Sequence, residues 1–298
     1  MASSVLDHKT ASDDEIAAYR SNPNHTSLSE ICYDNHVVKL SEEAVVKFGI
    51  GVKEEEAKSL KRAYELVGHD IVRVPFVYRF FIRAKQGYIV MEYMQGRVIK
   101  PVEEHGLIER IADILAYLTT IRGSIPGPLG GGVSSGILWS EHSEEPLLHS
   151  VEEMESWFNR RLRKADAKLR FRESALVMCH LDKAPRNSLL LEDGAICLLD
   201  WASAGFYPRV FEECAIRITR GLRDYFDEDA IKLRDLTEKE EVQTWGTKTK
   251  ILPLIDENYL VETNELAESI VRPTLSHDSS SPMLERQGQD GAKILTAL

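Results

Sequence analysis

The chain has little that would tie it to an oxidising compartment or a membrane. Its four cysteines, Cys32, Cys179, Cys197 and Cys214, form no C-x-x-C pair. They lie singly, three of them in apolar runs, and read as buried free thiols rather than as disulfides or a zinc site. No apolar run approaches the ~20 residues that a membrane-spanning helix requires. The stretch MASSVLDHKTASDDE has no basic segment followed by an apolar one, so no signal peptide is expected and the expected location is the cytoplasm. Net positive charge is also missing. The formal charge is −11, which gives nucleic acid or an anionic membrane no electrostatic hold. An anionic ligand would need a local device: a lysine, a metal ion or backbone N–H groups.

What is present is an ordinary globular balance. Hydrophobic residues make up 43% and charged residues 29% of 298, enough for two domains or one large two-lobed one. A weak helical stretch lies around Asp13–Arg20, before the turn-rich SNPNHTS. HVVKL (36–40) and AVVKFG (44–49) read as a hairpin about Ser41-Glu42-Glu43. In EEEAKSLKRAYELVG (54–68), apolar residues recur every three or four positions, an amphipathic helix stopped at Gly68. VPFVYRFFIRA (74–84) and GYIVMEYM (87–94) are two further strands, separated by the turn Lys85-Gln86-Gly87. Helical periodicity then takes over at 107–121, 151–171 and from 211 onward to about 271. A Gly-, Pro- and Ser-rich loop lies at 122–136, and 272–298 reads as a flexible tail.

One apolar stretch, VMCHLDKAPRNSLLLEDGAICLLDW (177–201), carries polar groups where core residues would be expected. Two short strands about Glu192-Asp193-Gly194 would bring Asp200 back beside the loop holding Asp182 and Asn187. Two carboxylates and an amide carbonyl then meet at one strand end. These are hard oxygen donors of the kind Mg²⁺ prefers beside phosphates, and one carboxylate is free to take a proton from an attacking hydroxyl.

The pattern H-x-D-x-x-x-x-N followed by a strand-end Asp resembles the kinase catalytic loop and its metal-binding Asp. With HLDKAPRNSLL, LLDWASAGFYPR and AVVKFG, the chain resembles the aminoglycoside phosphotransferase and choline kinase-like family, and its fungal phosphotransferase branch, over roughly residues 30–270. The resemblance implies an α+β, protein kinase-like two-lobed fold. A small antiparallel β lobe (30–94) binds nucleotide and a larger, mainly helical lobe (95–271) holds the catalytic loop and acceptor, with 1–29 as an N-terminal extension. It implies ATP and Mg²⁺ as cofactors and a small-molecule hydroxyl acceptor, with a cationic one suited to the acids at 144–145, 152–153, 212–213 and 227–229.

Asp182 is then the catalytic base, and Asn187 and Asp200 are the Mg²⁺ ligands. Lys47 meets the α- and β-phosphates, and Glu56 is its ion-pair partner, with Glu54 and Glu55 as competitors. Glu92, Tyr93 and Met94 border the adenine, mainly through backbone groups. His180 reads as structural. Arg186 reads as a partner of Glu212 or Glu213, and Glu213 as the acid that braces the catalytic loop.

Three features depart from the pattern. Leu181 stands where glycine is common. No glycine-rich phosphate loop occurs in NHVVKLSEEAVVK. GPLGGG (127–132) lacks Gly-Lys-[Ser/Thr] and follows a helix, so it reads as a flexible loop near the acceptor pocket. Trp139, Trp157 and Trp201 read as core before pocket. The rival readings are a nucleotide-binding pseudokinase without turnover and a hydrolase using His180 and Asp182 as metal ligands. The first is disfavoured because Lys47, Asp182, Asn187 and Asp200 are all present. The second leaves Asn187 and Lys47 without a purpose.

Overall fold

The computed structural model of the protein describes residues 6–22, 25–29, 35–99, 105–136, 138–139, 145–160 and 169–216. The helices expected beyond 216, the tail at 272–298 and Cys32 lie outside the described residues.

The N-terminal part is an antiparallel sheet of β1 (Thr26–Ser27), β2 (His36–Lys39), β3 (Ala44–Gly49), β4 (Val77–Arg83) and β5 (Gln86–Glu92), in the order β1-β2-β3-β5-β4. Both faces of the sheet are covered. α1 (Asp13–Tyr19) starts with a capping box, in which Ser12 accepts from Glu15 N–H and Glu15 accepts from Ser12 N–H. Its Ile16 packs with Val38, Val46, Phe48, Phe81, Tyr88 and Val90 on one face. α1 and β1 fall within 1–29, yet they are part of this lobe's packing. α2 (Glu54–Leu66) covers the other face, where Ala57 and Val52 meet Ile89.

Side chains alternate along a strand. With Val46 and Phe48 turned to α1, Lys47 is carried on the α2 side. The β4–β5 turn consists of Ala84 (φ 50°) and Lys85 (φ 64°), not Lys85-Gln86-Gly87. A two-residue hairpin turn of this kind requires positive φ at both positions. Gly87 lies inside β5 instead, where a Cβ would come within 1.9 Å of the Val52 carbonyl oxygen.

Beyond the sheet come β6 (Gly96–Val98), α3 (His105–Leu118), β7 (Gly127–Pro128), α4 (Val151–Asn159), β8 (Leu176–Cys179), β9 (Ser188–Leu191), β10 (Ile196–Leu198) and β11 (Gly205–Pro208). They form two three-stranded sheets, β10-β9-β6 and β7-β11-β8. Residues 210–216 are helical. One core joins Leu60 and Ala63 of α2 to Ile114 and Leu118 of α3 and to Met178, Leu198 and Trp201. α2 is thus held between the sheet and the second part of the molecule. A second core is aromatic, with Trp139, Trp157, Phe158, Phe171, Tyr207 and Phe211. The three tryptophans in question are core residues; Cys179 and Cys197 are buried free thiols, and Cys214 is buried. Among the described residues no helix is long and apolar enough to cross a membrane.

Ile16 is fully buried, so Ile16→Ala removes apolar contacts that the sheet cannot recover. The expected loss is about 2–5 kcal/mol of unfolding free energy, read from urea denaturation of the full chain. A loss below about 0.5 kcal/mol would mean that α1 is not part of the folded unit.

Candidate active site

Lys47 on β3 sits between two carboxylates. Its Nζ is 2.5 Å from Glu56 Oε1 and 3.3 Å from Asp200 Oδ1. Glu56 comes from the first turn of α2 and belongs to the buried face of that helix with Ala57, Leu60 and Ala63. Its neighbours do not compete for the lysine: Glu54 pairs with Lys58 at 3.0 Å, and Glu55 is exposed. Burial alone would lower the Lys47 pKa. The charges of Asp200 and Glu56 outweigh it and hold the ammonium well above the ordinary lysine range. Burial pushes the Glu56 carboxyl up, against the pull of Lys47.

Asp200 reaches this site by a hairpin. β9 and β10 pair antiparallel, with Ser188 opposite Leu198, about the turn at Gly194 (φ 80°). One step further on, Leu199 N–H donates to the Asn187 carbonyl at 2.9 Å. The register thus brings Asp200 back beside Asn187, at the end of the 3-10 turn Pro185–Asn187. The Asn187 amide nitrogen donates to the Asp182 carbonyl at 3.2 Å. Its Oδ1 and the Asp200 Oδ2 are then the hard oxygen donors left for a divalent cation, a donor set that fits Mg²⁺ alongside phosphate oxygens.

The loop from His180 to Asn187 is built around an unusual backbone. Leu181 has φ 66°, in the left-handed region, where a leucine costs about 1–2 kcal/mol. Its side chain is buried in the aromatic core. Glu212 braces the turn: its carboxylate accepts from His180 N–H at 2.6 Å and from Leu181 N–H at 3.3 Å. The brace is therefore Glu212 and not Glu213. The two differ by one helical position, and only the packing of residues 210–216 decides between them.

His180 is fully buried, with Nε2 3.0 Å from the Leu199 carbonyl and Nδ1 accepting from Asp182 N–H at 3.3 Å. Burial, reinforced by the Lys183 charge, holds its pKa well below the ordinary histidine value. Both ring nitrogens are occupied in a neutral imidazole, so His180 is structural and offers no lone pair to a metal.

Asp182 lies at the mouth of the loop. Burial raises its pKa, Arg186 opposes that and Asp200 adds to it. Arg186 pairs at 3.4 Å with Asp182 itself. The guanidinium is half exposed, which keeps the pair weak. Lys183 was not foreseen. Its ammonium is buried without a hydrogen-bond partner among the described residues, 5.8 Å from the Trp201 ring centroid, and burial lowers its pKa to about 8 against the charges of Glu212 and Asp182.

The segment after β5 is partly committed. Glu92 N–H donates to the Phe76 carbonyl and Tyr93 N–H to the Glu43 carbonyl. The Glu92 carboxylate accepts from Phe76 N–H at 3.1 Å, and the Tyr93 ring lies 4.3 Å from Lys39 Nζ. Met94 N–H makes no hydrogen bond among the described residues. The acids expected at the acceptor side are also largely engaged. Glu145 is 3.7 Å from Lys53, Glu153 accepts from His149 N–H, and Glu212 is the loop brace. Positions 144 and 227–229 lie outside the described residues. A cavity of about 530 Å³ beside α4, bordered by Leu148, Glu152, Trp157 and Arg160, includes none of the Lys47, Asp182, Asn187 and Asp200 set.

Residues 33–214 match the model of the phosphotransferase enzyme family (APH). No curated protein matches the chain. Among solved structures, a thermostable mutant of aminoglycoside phosphotransferase APH(4)-Ia in ternary complex with AMP-PNP and hygromycin B is similar at 13% identity. That match covers 90% of this chain and 100% of the other, with a TM-score of 0.47. Choline kinase LicA from Streptococcus pneumoniae is similar at 17% identity over 83% of this chain and 82% of the other, with a TM-score of 0.44.

A carboxyl whose folded pKa is raised stabilises the fold only while it is protonated. Its contribution is complete below the unfolded value of about 4 and is lost as pH rises through the folded value. Ionised Asp182 therefore costs stability at neutral pH. Asp182→Asn is expected to raise the melting temperature by a few degrees near neutrality without divalent cation or nucleotide, and the gain should shrink as the solution is acidified. Calorimetry at two pH values checks this, and a gain equal at both pH values contradicts it.

Proposed function

Since the chain belongs to the phosphotransferase enzyme family, we propose that it transfers the γ-phosphoryl group of ATP to a hydroxyl of a small molecule, with Asp182 as catalytic base. The observation that carries this reading is the Lys47 ammonium. Its side chain is 12% exposed and stands between Glu56 and Asp200, and its pKa is held high by both. Such a lysine stays charged at any physiological pH. It is a fixed cation of the kind that meets nucleotide phosphates in phosphoryl transfer.

Each residue then has a task. Lys47 neutralises the α- and β-phosphates, and Glu56 keeps it aimed. Met94 offers a backbone donor for the adenine edge, with Glu92 and Tyr93 flanking it. Asn187 and Asp200 would hold Mg²⁺, which supplies charge neutralisation between the phosphates. Asp182 accepts the proton of the acceptor hydroxyl as its oxygen bonds to the γ-phosphorus. The bond from that phosphorus to the β-γ bridging oxygen breaks, and ADP leaves. Burial of the Asp182 carboxyl makes it a stronger proton acceptor than an exposed aspartate.

The acceptor is a small molecule on this reading, because the ten residues between Asp200 and Phe211 are too few for a peptide-docking segment. Its charge is cationic in the reading from sequence. Of the acids first associated with that charge, Glu152 is exposed, while Glu145, Glu153 and Glu212 are engaged in contacts of their own.

ADP release from Mg·ATP is to be measured against hydroxylated amines, aminoglycosides, choline-like compounds and sugars. At least one acceptor should raise turnover, and Lys47→Met, Asp182→Ala and Asp200→Ala should each lower it by about 100-fold or more. Turnover that survives Asp182→Ala would falsify the assignment of the base. Nucleotide binding with no acceptor-dependent turnover would favour a silent binding module.

A further inference from the structure

The glycine-rich segment 127–132 is not a free loop. On one side it is fastened to the chain that follows Asp200. Gly127 and Pro128 form β7 and pair with Phe206 and Gly205 of β11, and Leu129 N–H donates to the Ala204 carbonyl at 2.9 Å. On the other side it is fastened to α2. Gly130 N–H donates to Ser59 Oγ at 3.0 Å, and Ser59 is fully buried. A Cβ on Gly130 would lie 2.6 Å from the Glu55 carbonyl oxygen, 2.7 Å from Lys58 Cβ and 2.7 Å from Ser59 N. Gly130 has no positive φ, so a side chain is excluded there by the approach to α2 and not by backbone conformation. Leu129 adds packing in the core shared by Leu60, Ala63, Trp201 and Ala204.

The two chain segments that this strap joins carry the two carboxylates that flank Lys47. Glu56 sits on α2 one turn before Ser59, and Asp200 lies four residues before Ala204. These carboxylates share one lysine and repel each other, and the Asp200 charge is one of the causes that raise the Glu56 pKa. Something other than their own interaction must hold the helix in place. We propose that segment 127–132 is a positioning element of the phosphoryl-transfer site, which acts through Gly130 and Ser59 to fix Glu56 against Lys47. The inference rests on the proposed function for its consequence and on the contacts above for its geometry.

Two readouts test it. The first does not depend on activity. Acylation of Lys47 by an N-hydroxysuccinimide ester, followed by peptide mass spectrometry, reports how well the amine is sequestered, with exposed Lys85 as the internal reference. Labelling of Lys47 relative to Lys85 should rise about threefold or more in Gly130→Ala and Ser59→Ala, toward the level of Glu56→Gln. Unchanged labelling in both strap variants overturns the proposal.

The second readout is a double-mutant cycle on turnover. Gly130→Ala should lower kcat about tenfold or more with the acceptor KM unchanged, and should cost less than about twofold in a Glu56→Gln background. Equal losses in both backgrounds mean a merely structural role and also overturn it. Should Gly130→Ala not fold, Ser59→Ala carries both measurements. If Lys47 labelling responds while Asp182→Asn leaves ADP release unchanged, the strap stands and the kinase reading falls.

Discussion

A single ammonium at the junction of three elements organises this molecule. Lys47 comes from β3, Glu56 from α2 and Asp200 from the end of the β9–β10 hairpin. Burying a lysine without partners costs several kcal/mol, so each partner must be brought in by the packing of its own element. β3 presents the lysine on the α2 side because its alternate residues fill the α1 side. α2 presents Glu56 because its apolar face is wedged between the sheet and the core that contains Trp201. The third partner arrives only through the hairpin register. With two carboxylates for one cation, the cluster carries a net negative charge that a divalent cation would offset.

The loop from His180 to Asn187 is held by different forces. Leu181 takes a left-handed backbone that glycine would adopt without strain. What holds it there is burial of the leucine side chain and the Glu212 carboxylate, which accepts from two successive N–H groups. His180 closes the arrangement by joining the loop to Leu199, next to Asp200. The loop and the Asp200 carboxylate are therefore set relative to each other by a neutral, desolvated imidazole. Burial disfavours the charged form there.

Much of this was legible in the sequence, for reasons that can be named. The hairpin of 36–49, helix 54–66 and strands 77–92 follow from period-2 and period-3.6 patterns with clear turns. Glu56 was legible over Glu54 and Glu55 in principle, since it shares the spacing of Ala57, Leu60 and Ala63. Convergence of Asp182, Asn187 and Asp200 followed from two short strands about a Gly turn. Other features were not legible because they depend on tertiary approach. Gly87 looks like a turn residue but is required by the Val52 carbonyl. GPLGGG looks like slack but is pinned on both sides. Glu212 and Glu213 are adjacent, and only the orientation of their helix assigns the brace. The burial of the Lys183 ammonium leaves no periodic signal at all.

On the proposed reading, Lys47 and Asp200 form one phosphate-and-cation site. This is tested most directly by titrating a non-hydrolysable ATP analogue into the wild type and into Asp200→Asn by calorimetry, with and without Mg²⁺. Mg²⁺ is expected to tighten binding to the wild type about tenfold or more and to have little effect on the variant. An affinity that is the same with and without Mg²⁺ in the wild type would contradict it.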